Sequence, residues 1–434
     1  MNRVILHIDF DSYFASCEQQ FDERLRGRPI GVTATNGRTC IIAASREAKE
    51  FGVKSVTRVW EARKVCPQII TVPAYFEKYW EITQKFLNIC KDYSPYVELF
   101  SLDEVFIDIT STQNLFGGKY KIVQTIKKRI EKEIGEYITV SVGLSHNKLL
   151  AKLASGLDKP NGFVEINKDN VWEIYKKAKL TDICGIGERI AIRLNKIGIF
   201  SLLDLQKAKI EMLEEEFGKV YSQILKNIGM AEDNSSVVPY YAEVETKSVG
   251  RSYCLPKNEY NQRLILQNIF ELSEEVGIKL RRLNKKARTV GLYLTGENVY
   301  HGRKTITTHI DSGREIFNLC KILYDEWGLG NCSICGKNCE PTCPKRCERM
   351  VRQMGVWAGN LEDSQNLTLS LFDNAYKNPK VQKAMDEIND RFGDHTIRNG
   401  FVWDSPNLKT VPNGYMADRF ERKKLSEGFT KDYI

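Results

Sequence analysis

The sequence of 434 residues lacks any run of about 18 apolar residues, the length that a helix needs to cross a bilayer. It also lacks a recognisable signal peptide, because the apolar run at the N-terminus is short and is soon followed by acidic residues. No internal repeat is visible. These absences exclude integral membrane proteins, secreted proteins and repeat arrays, and they predict a cytoplasmic globular protein.

Basic residues exceed acidic residues only slightly, at 64 Lys and Arg against 56 Asp and Glu. The net charge is +8, which favours a polyanionic partner without proving one. The chain has 12 cysteines, of which seven are scattered through apolar or helical segments, as buried thiols often are. Without a signal peptide, this placement favours reduced thiols over disulfides. The other five cysteines crowd into residues 332–347 and need a separate explanation.

The length is too great for one core, and the patterns predict several domains. Alternating β and α patterns near the N-terminus resemble a split β-α-β sheet of four strands with helices on one side. The expected segments are an α+β domain at 1–165 with an insertion at about 12–75, a helical domain at 166–232, a linker at 233–246, a second α+β domain at 247–360 and a polar, loosely ordered tail at 361–434.

Three acidic residues occupy positions where a lone carboxylate is costly. Asp9 ends a buried strand, and Asp103 and Glu104 lie at a predicted β-hairpin. Burying a charge costs several kcal/mol unless it has a partner. No neighbouring Lys or Arg is evident, so a divalent cation such as Mg²⁺ is the expected partner. The alternative is that these acids solvate turns, and Asp11 is expected to cap the following helix.

Six motifs occur in order and at suitable spacing: HIDFDSYFASCE, SREAKEFGV, ELFSLDEVFIDIT, SVGLSHNKLLAKLAS, CGIGERIAIRLNKIGI and KSVGRS. Together they resemble the bacterial Y-family, or translesion, DNA polymerases over roughly residues 1–372. A weaker similarity follows in AMDEINDRFGDHTIRNG. The resemblance implies an α+β right-hand polymerase: a ferredoxin-like palm, small inserted fingers, a thumb with a helix-hairpin-helix, and a C-terminal α+β little finger.

The resemblance assigns the acids to catalysis. Asp9 and Asp103 match the carboxylates that bridge two Mg²⁺ ions, and Glu104 matches the third ligand. The backbone carbonyl of Phe10 would complete the metal nearer the nucleotide. Two such ions about 4 Å apart support in-line attack of a primer 3′-hydroxyl on a nucleotide α-phosphate.

Five further residues match the nucleotide site of the family. Phe14 lies at the position of the steric gate, whose ring excludes a 2′-hydroxyl, and Tyr13 would pack beside it or serve as a core aromatic. Arg46 and Lys49 replace the commoner Tyr and Arg, and because they are three apart both can face the triphosphate. Lys159 resembles the other triphosphate contact.

Two regions resemble DNA-binding segments. Gly185 and Gly187 would let backbone N–H groups approach a phosphate at a helix N-terminus. Ser248, Gly250 and Arg251 resemble a strand that contacts the DNA backbone. The domain that lies along the duplex also carries a basic run: Arg281, Arg282, Lys285, Lys286 and Arg288.

The tail contains the apolar segment Thr368, Leu369, Leu371 and Phe372, which resembles the peptide that docks bacterial polymerases on the sliding clamp. The alternative is a latch onto the chain's own little finger.

The cysteine-rich insertion is unusual for the family. Its thiols suit Zn²⁺ or an iron–sulfur cluster, the alternative being unliganded thiols. The residues concerned are Cys332, Cys335, Cys339, Cys343 and Cys347.

The resemblance predicts a monomeric, Mg²⁺-dependent DNA polymerase that extends primer–template DNA from deoxynucleoside triphosphates. It would perform low-fidelity, mutagenic translesion synthesis during DNA repair and replication of damaged templates. Two alternatives stay open at this stage. One is another palm-type nucleotidyl-transfer enzyme, and the other is a non-catalytic DNA-binding scaffold.

Overall fold

The computed structural model describes residues 3–34, 40–242, 245–296, 299–329, 350–367, 379–392 and 396–403. The chain forms two compact units, Met1–Ala242 and Glu243–Ile434. The cysteine-rich segment 332–347 and the apolar tail segment 368–372 lie outside the described residues, so their predicted roles stay predictions. Within the described ranges, no helix combines the length and apolar character that a membrane crossing requires.

The first unit contains eight strands, eleven α-helices and three short 3₁₀ helices among its described residues. The strands are β1 (Ile5–Phe10), β2 (Ile30–Thr33), β3 (Ile41–Ala44), β4 (Ile70–Pro73), β5 (Val97–Leu99), β6 (Glu104–Asp108), β7 (Val140–Ser145) and β8 (Phe163–Glu165). The helices are α1 (Tyr13–Phe21), α2 (Arg46–Glu50), α3 (Val59–Val65), α4 (Phe76–Lys91), α5 (Lys119–Glu133), α6 (Lys148–Leu157), α7 (Val171–Lys177), α8 (Glu188–Lys196), α9 (Leu202–Lys207), α10 (Ile210–Phe217) and α11 (Lys219–Gly229).

The main sheet of this unit has the strand order β5-β6-β1-β7-β8. Strand β1 is central and pairs antiparallel with both β6 and β7, while β8 pairs parallel with β7. Ile5, Leu6 and Ile8 are fully buried, as expected for a strand covered on both faces. The prediction of four strands was one short, because the three-residue strand β8 gives too little periodic signal.

Two smaller assemblies complete the unit. Strands β3-β2-β4 form a second sheet, and a small core next to it includes Ile41, Ala48 and Ala62. Helices α7 to α11 share a second core with one face of α6, and Leu194 and Leu205 are among its fully buried members.

The second unit is a four-stranded antiparallel sheet of order β11-β10-β12-β9. Its helices pack against the sheet through a continuous apolar core. The elements are β9 (Ser248–Glu259), α12 (Gln262–Arg282), β10 (Lys285–Gly296), β11 (Val299–Ile310), α13 (Gly313–Leu329), β12 (Val351–Asp363) and α14 (Pro379–Phe392).

Part of the tail is ordered, which corrects the prediction that the whole of 361–434 is loose. Helix α14 is held against α12 because Arg281 donates to both carboxylate oxygens of Asp386 at 2.6 and 2.8 Å. Further along, the amide of Gln267 donates to the carbonyl of Phe401 at 2.8 Å. The prediction failed because these contacts join residues more than a hundred positions apart.

Candidate active site

The acidic residues meet where β1 lies beside β6. Asp9 and Glu104 are direct partners in the antiparallel register. The backbone N–H groups of Phe100 and Ser101 both donate to the carbonyl of Glu104, at 3.1 and 3.2 Å, so the chain turns back just before β6. This turn sets Asp103 beside β1, where the carbonyl of Asp103 accepts from the N–H of residue 10 at 2.9 Å. The sequence expectation of a turned hairpin is therefore confirmed.

Two lysines reach these acids, which corrects the expectation that no basic partner is near. Lys152 on α6 contacts a carboxylate oxygen of Glu104, and Lys159 just after α6 contacts Asp9. The same oxygen of Glu104 lies 2.9 Å from His7 Nε2, and His7 Nδ1 lies 2.7 Å from the hydroxyl of Ser155. Sequence inspection missed the lysines because helix packing on the sheet brings them in from about 50 and 150 positions away.

Burial and hydrogen bonds together set the protonation states of Asp9, Glu104 and His7. It raises the pKa of Asp9 to about 6, although Lys159 opposes the shift. Burial also acts to raise the pKa of Glu104, but hydrogen bonds from His7 and Lys152 outweigh it and lower that pKa to about 2. Burial lowers the pKa of His7 to about 4, so the imidazole is neutral at pH 7. Because ionised Glu104 can only accept, His7 Nε2 carries the proton.

The donor set fits a divalent cation. Ligand atoms of His7, Asp9 and Glu104 all lie within 4.8 Å of one another. Carboxylate oxygens are the ligands that hard cations prefer. Both nitrogens of His7 are already engaged, whereas Asp9 and Glu104 are each paired through one carboxylate oxygen, Oδ1 and Oε2. The carboxylates are therefore the expected ligands. Asp103 is close enough for its charge to raise the pKa of Asp9, while its own carboxylate accepts from Ser101.

An aromatic wall adjoins the acids. The ring of Phe14 stacks on Tyr79 with centroids 4.6 Å apart and meets Phe76 edge-on at 5.7 Å. Tyr13 is only 4% exposed, and its hydroxyl donates to the carbonyl of Tyr79 at 2.6 Å and lies 2.8 Å from Thr83. Tyr13 is therefore buried in the core and also packs beside Phe14, with ring centroids 5.4 Å apart. Phe14 is only half-buried.

Three basic residues, Arg46, Lys49 and Lys159, lie near the acids. Arg46 begins helix α2 and donates to the hydroxyl of Thr139 at 2.6 Å. Lys49, one turn later, donates to the hydroxyl of Ser12 at 2.7 Å. Burial and then the charge of Lys159 lower the pKa of Lys49, and Arg46 adds to the shift. An anion bound here would relieve this repulsion on Lys49.

Asp11 is not a helix cap, contrary to the sequence prediction. Ser12 precedes α1 with a left-handed φ of 52° and makes no side-chain cap. Asp11 is 3% exposed and instead accepts hydrogen bonds from Thr139, Ser141 and the backbone of Asn161.

The two glycines of the predicted helix-hairpin-helix flank an exposed turn. Gly185 has a φ of +100°, which favours glycine, and its carbonyl accepts from the hydroxyl of Tyr221 at 2.6 Å. Gly187 is the N-terminal flanking residue of α8, and a methyl group placed there would meet no atom within 4 Å. The backbone at the start of α8 is thus open to a ligand.

In the second unit, Ser248 and Gly250 are exposed on β9. Arg251 projects from the opposite face, as expected for the next residue in a strand, and forms an ion pair with Glu275 of α12 at 2.9 Å. Its side chain is therefore committed within the unit. Much of the predicted basic run is also paired internally: Arg281 with Asp386, Arg282 with Asp390, Lys285 with Asp363 and Lys286 with Asp311.

Some of the missed residues had a signal in the sequence. His7 lies two residues before Asp9 on one strand, so the two side chains share a face. Lys152 and Ser155 are three apart on a predicted helix and likewise share a face. A histidine in an otherwise apolar strand, next to an acid of the same face, was the sign of this network.

Comparisons with known proteins identify the family. Models of the impB/mucB/samB family and of its C-terminal domain match residues 8–156 and 246–371. The chain is 32% identical to DNA polymerase IV of Pelotomaculum thermopropionicum, covering 96% of this chain and 98% of the relative. It is 30% identical to DNA polymerase IV of Acetivibrio thermocellus, covering 95% and 100%.

A solved structure extends the likeness to the fold. The Dbh–Dpo4 Y-family DNA polymerase chimera superposes with a TM-score of 0.67 at 26% identity, covering 82% of this chain and 98% of the chimera. This match supports the right-hand polymerase architecture. The chain therefore belongs to the impB/mucB/samB family of bacterial Y-family polymerases, and it is a DNA-directed DNA polymerase of the translesion type that acts on primer–template DNA and nucleotides.

Proposed function

We propose that Asp9, Asp103 and Glu104, with the backbone carbonyl of Phe10, hold two Mg²⁺ ions during nucleotide addition. The observation that carries this proposal is the register that pairs Asp9 with Glu104 and sets the turn residue Asp103 beside them. When bound, such ions activate the primer hydroxyl and stabilise the charge that develops on the phosphate.

The side chains around the acids have separate tasks in this proposal. His7 and Lys152 keep Glu104 ionised and fixed in one orientation, so it is ready to bind a cation. Phe14 lies under the deoxyribose, and its stack on Tyr79 holds the ring rigid enough to exclude a 2′-hydroxyl.

Arg46, Lys49 and Lys159 bind the triphosphate in this proposal. Support comes from Lys49, whose pKa is lowered by burial and by the charges of Lys159 and Arg46, a repulsion that a bound anion would relieve. A triphosphate with its metal is the anion that a polymerase places next to the catalytic acids.

The DNA backbone is proposed to contact the open turn at Gly185 and Gly187 and the exposed positions Ser248 and Gly250. Helix N-termini and exposed backbone N–H groups bind phosphate without regard to sequence, and such binding weakens with salt. Arg251 does not enter this proposal through its side chain, since that side chain is paired with Glu275. We further propose that the polymerase works as a monomer in the cytoplasm.

Primer extension on a template tests the metal assignment. We expect Asp9→Ala, Asp103→Ala and Glu104→Ala each to abolish extension with Mg²⁺. The matched control is Asp108→Ala, at the other end of β6, where the carboxylate accepts from the N–H and hydroxyl of Thr110. Extension by Asp103→Ala at the rate of the Asp108→Ala control would refute the assignment.

A further inference from the structure

Asp11 is a buried carboxylate that accepts hydrogen bonds from three residues on two segments, 139–141 and the turn at Asn161. Its Oδ1 accepts from the hydroxyl of Ser141 at 2.7 Å. Its Oδ2 accepts from the hydroxyl of Thr139 at 2.7 Å and from the backbone N–H of Asn161 at 2.8 Å. The residue is 3% exposed, so these bonds are shielded from water. The mechanism described above gives this residue no task.

One contact fixes the turn that carries Lys159. Asn161 lies two residues beyond Lys159, and its N–H is held by Asp11. The carbonyl of Asn161 accepts from Lys127 at 2.5 Å, which holds the turn from its other side. The ammonium of Lys159 then reaches Asp9. The position of Lys159 relative to the catalytic acids therefore depends on the bond from Asn161 to Asp11.

The other contact fixes Arg46. A carboxylate can only accept, so the hydroxyl hydrogen of Thr139 points at Asp11. A lone pair of the same hydroxyl therefore faces Arg46, which donates to it at 2.6 Å. The backbone N–H of Asp11 also donates to the carbonyl of Thr139 at 2.9 Å. Asp11 thus sets the direction of the group that holds the guanidinium.

We propose that Asp11 is a positioning residue for the nucleotide triphosphate. One carboxylate oxygen ties together Lys159, from the turn after α6, and Arg46, from α2, so that both cations are held for the same anion. The inference rests on the proposed role of these cations. It assigns Asp11 no contact with substrate or metal, which separates it from Asp9 two residues earlier.

Single-nucleotide insertion kinetics test this proposal through two variants. Asp11→Ala removes the shared oxygen, and we expect it to raise the KM for the incoming nucleotide by about tenfold or more, since small displacements of positioning groups are costly. Asp11→Asn can keep one oxygen toward Thr139 and Asn161 while its amide donates to Ser141. We expect Asp11→Asn to retain a KM within about threefold of the wild type. If Asp11→Asn loses as much as Asp11→Ala, the charge itself is required and the proposal is wrong.

A double-mutant cycle separates positioning from general destabilisation. In an Arg46→Ala background, Asp11→Ala should raise the KM by a clearly smaller factor, because one of the two cations it positions is already gone. Thr139→Val, which breaks only the bridge to Arg46, should raise the KM about as much as Arg46→Ala. If Asp11→Ala does not fold, the comparison of Thr139→Val, Arg46→Ala and their double variant still shows whether the hydroxyl of Thr139 positions Arg46.

Two results would overturn the proposal. One is that Asp11→Ala raises the KM by the same factor with and without Arg46. The other is a KM for Asp11→Ala equal to that of the Asp108→Ala control. Single variants made in the wild-type enzyme separate the role proposed for the cations from the role proposed for Asp11. If Arg46→Ala and Lys159→Ala leave the wild-type KM unchanged, the triphosphate role proposed for these cations fails. If they raise it and Asp11→Ala does not, only the role of Asp11 fails.

Discussion

Gly143 gives the sharpest prediction about how the main sheet of the first unit positions the site. Gly143 is the register partner of His7 on β7. A Cβ added there would lie 2.0 Å from the carbonyl oxygen of Ala151 and 2.4 Å from the backbone nitrogen of Ser155, whereas ordinary contacts begin at 3.4 Å. Both obstacles are backbone of α6, so no side chain can swing away. In Gly143→Ala the helix must therefore withdraw by about 1–1.4 Å.

The cost follows from this displacement. Forcing a methyl group into a packed site costs about 1–3 kcal/mol of unfolding free energy. Helix α6 also carries Lys152 and Ser155, which hold Glu104 and His7. A shift of about 1 Å in positioning groups lowers the rate by about 10²-fold. We expect Gly143→Ala to fold less stably and, at a temperature where it is folded, to extend primers about a hundredfold more slowly.

Gly156→Ala is the matched control on the same helix. A Cβ at this position would meet no atom within 4 Å, so the change should be neutral or should stabilise the helix by up to about 1 kcal/mol. Calorimetric unfolding gives the stability, and primer extension at a fixed temperature gives the rate. Equal midpoints and equal rates for the two variants would refute the close packing of α6 on β7.

Three further predictions follow from named contacts. Phe14→Ala should lower the preference for deoxyribonucleotides by tenfold or more, measured as a ratio of kcat/KM values, because the ring face that excludes a 2′-hydroxyl is lost; an unchanged ratio would remove Phe14 as the gate. Asp9→Asn should abolish extension yet raise the unfolding midpoint at pH 7.5 in EDTA. The folded-state pKa of Asp9 is raised to about 6, so its ionised form is destabilising above that pH, and the gain should shrink as the pH falls through 6; a lower midpoint for the variant at pH 7.5 would contradict the burial penalty. Asp386→Ala should speed hydrogen exchange in α14, because Arg281 loses its bidentate partner, and exchange as slow as in the wild type would show that other contacts hold the helix.

The local patterns in the sequence predicted much of the framework. The central strand, the hairpin at Asp103 and Glu104, and helix α4 were readable because their signals lie within a few residues. The motif order predicted the family and hence the acids. The sequence could not predict the distant partners of the acids, because Lys152 and Lys159 reach Glu104 and Asp9 only after α6 packs on the sheet.

Asp11 shows how a local rule fails. An acid just before a helix normally caps it, and the sequence gives no sign that three donors from residues 139–161 are available. Tertiary hydrogen bonds outweighed the local preference. The prediction of a loosely ordered tail was wrong for a related reason. Helix α14 is held in place because Asp386 and Asp390 pair with arginines of α12.

The central claim is that Asp9, Asp103 and Glu104 form the divalent-cation site of this polymerase. The most direct measurement is Mn²⁺ binding, followed by electron paramagnetic resonance, to the enzyme with a dideoxy-terminated primer–template and the next nucleotide. We expect two tightly bound ions in the wild type and in Asp108→Ala, and the loss of at least one ion in Asp103→Ala. Two ions bound by Asp103→Ala with wild-type affinity would contradict this claim.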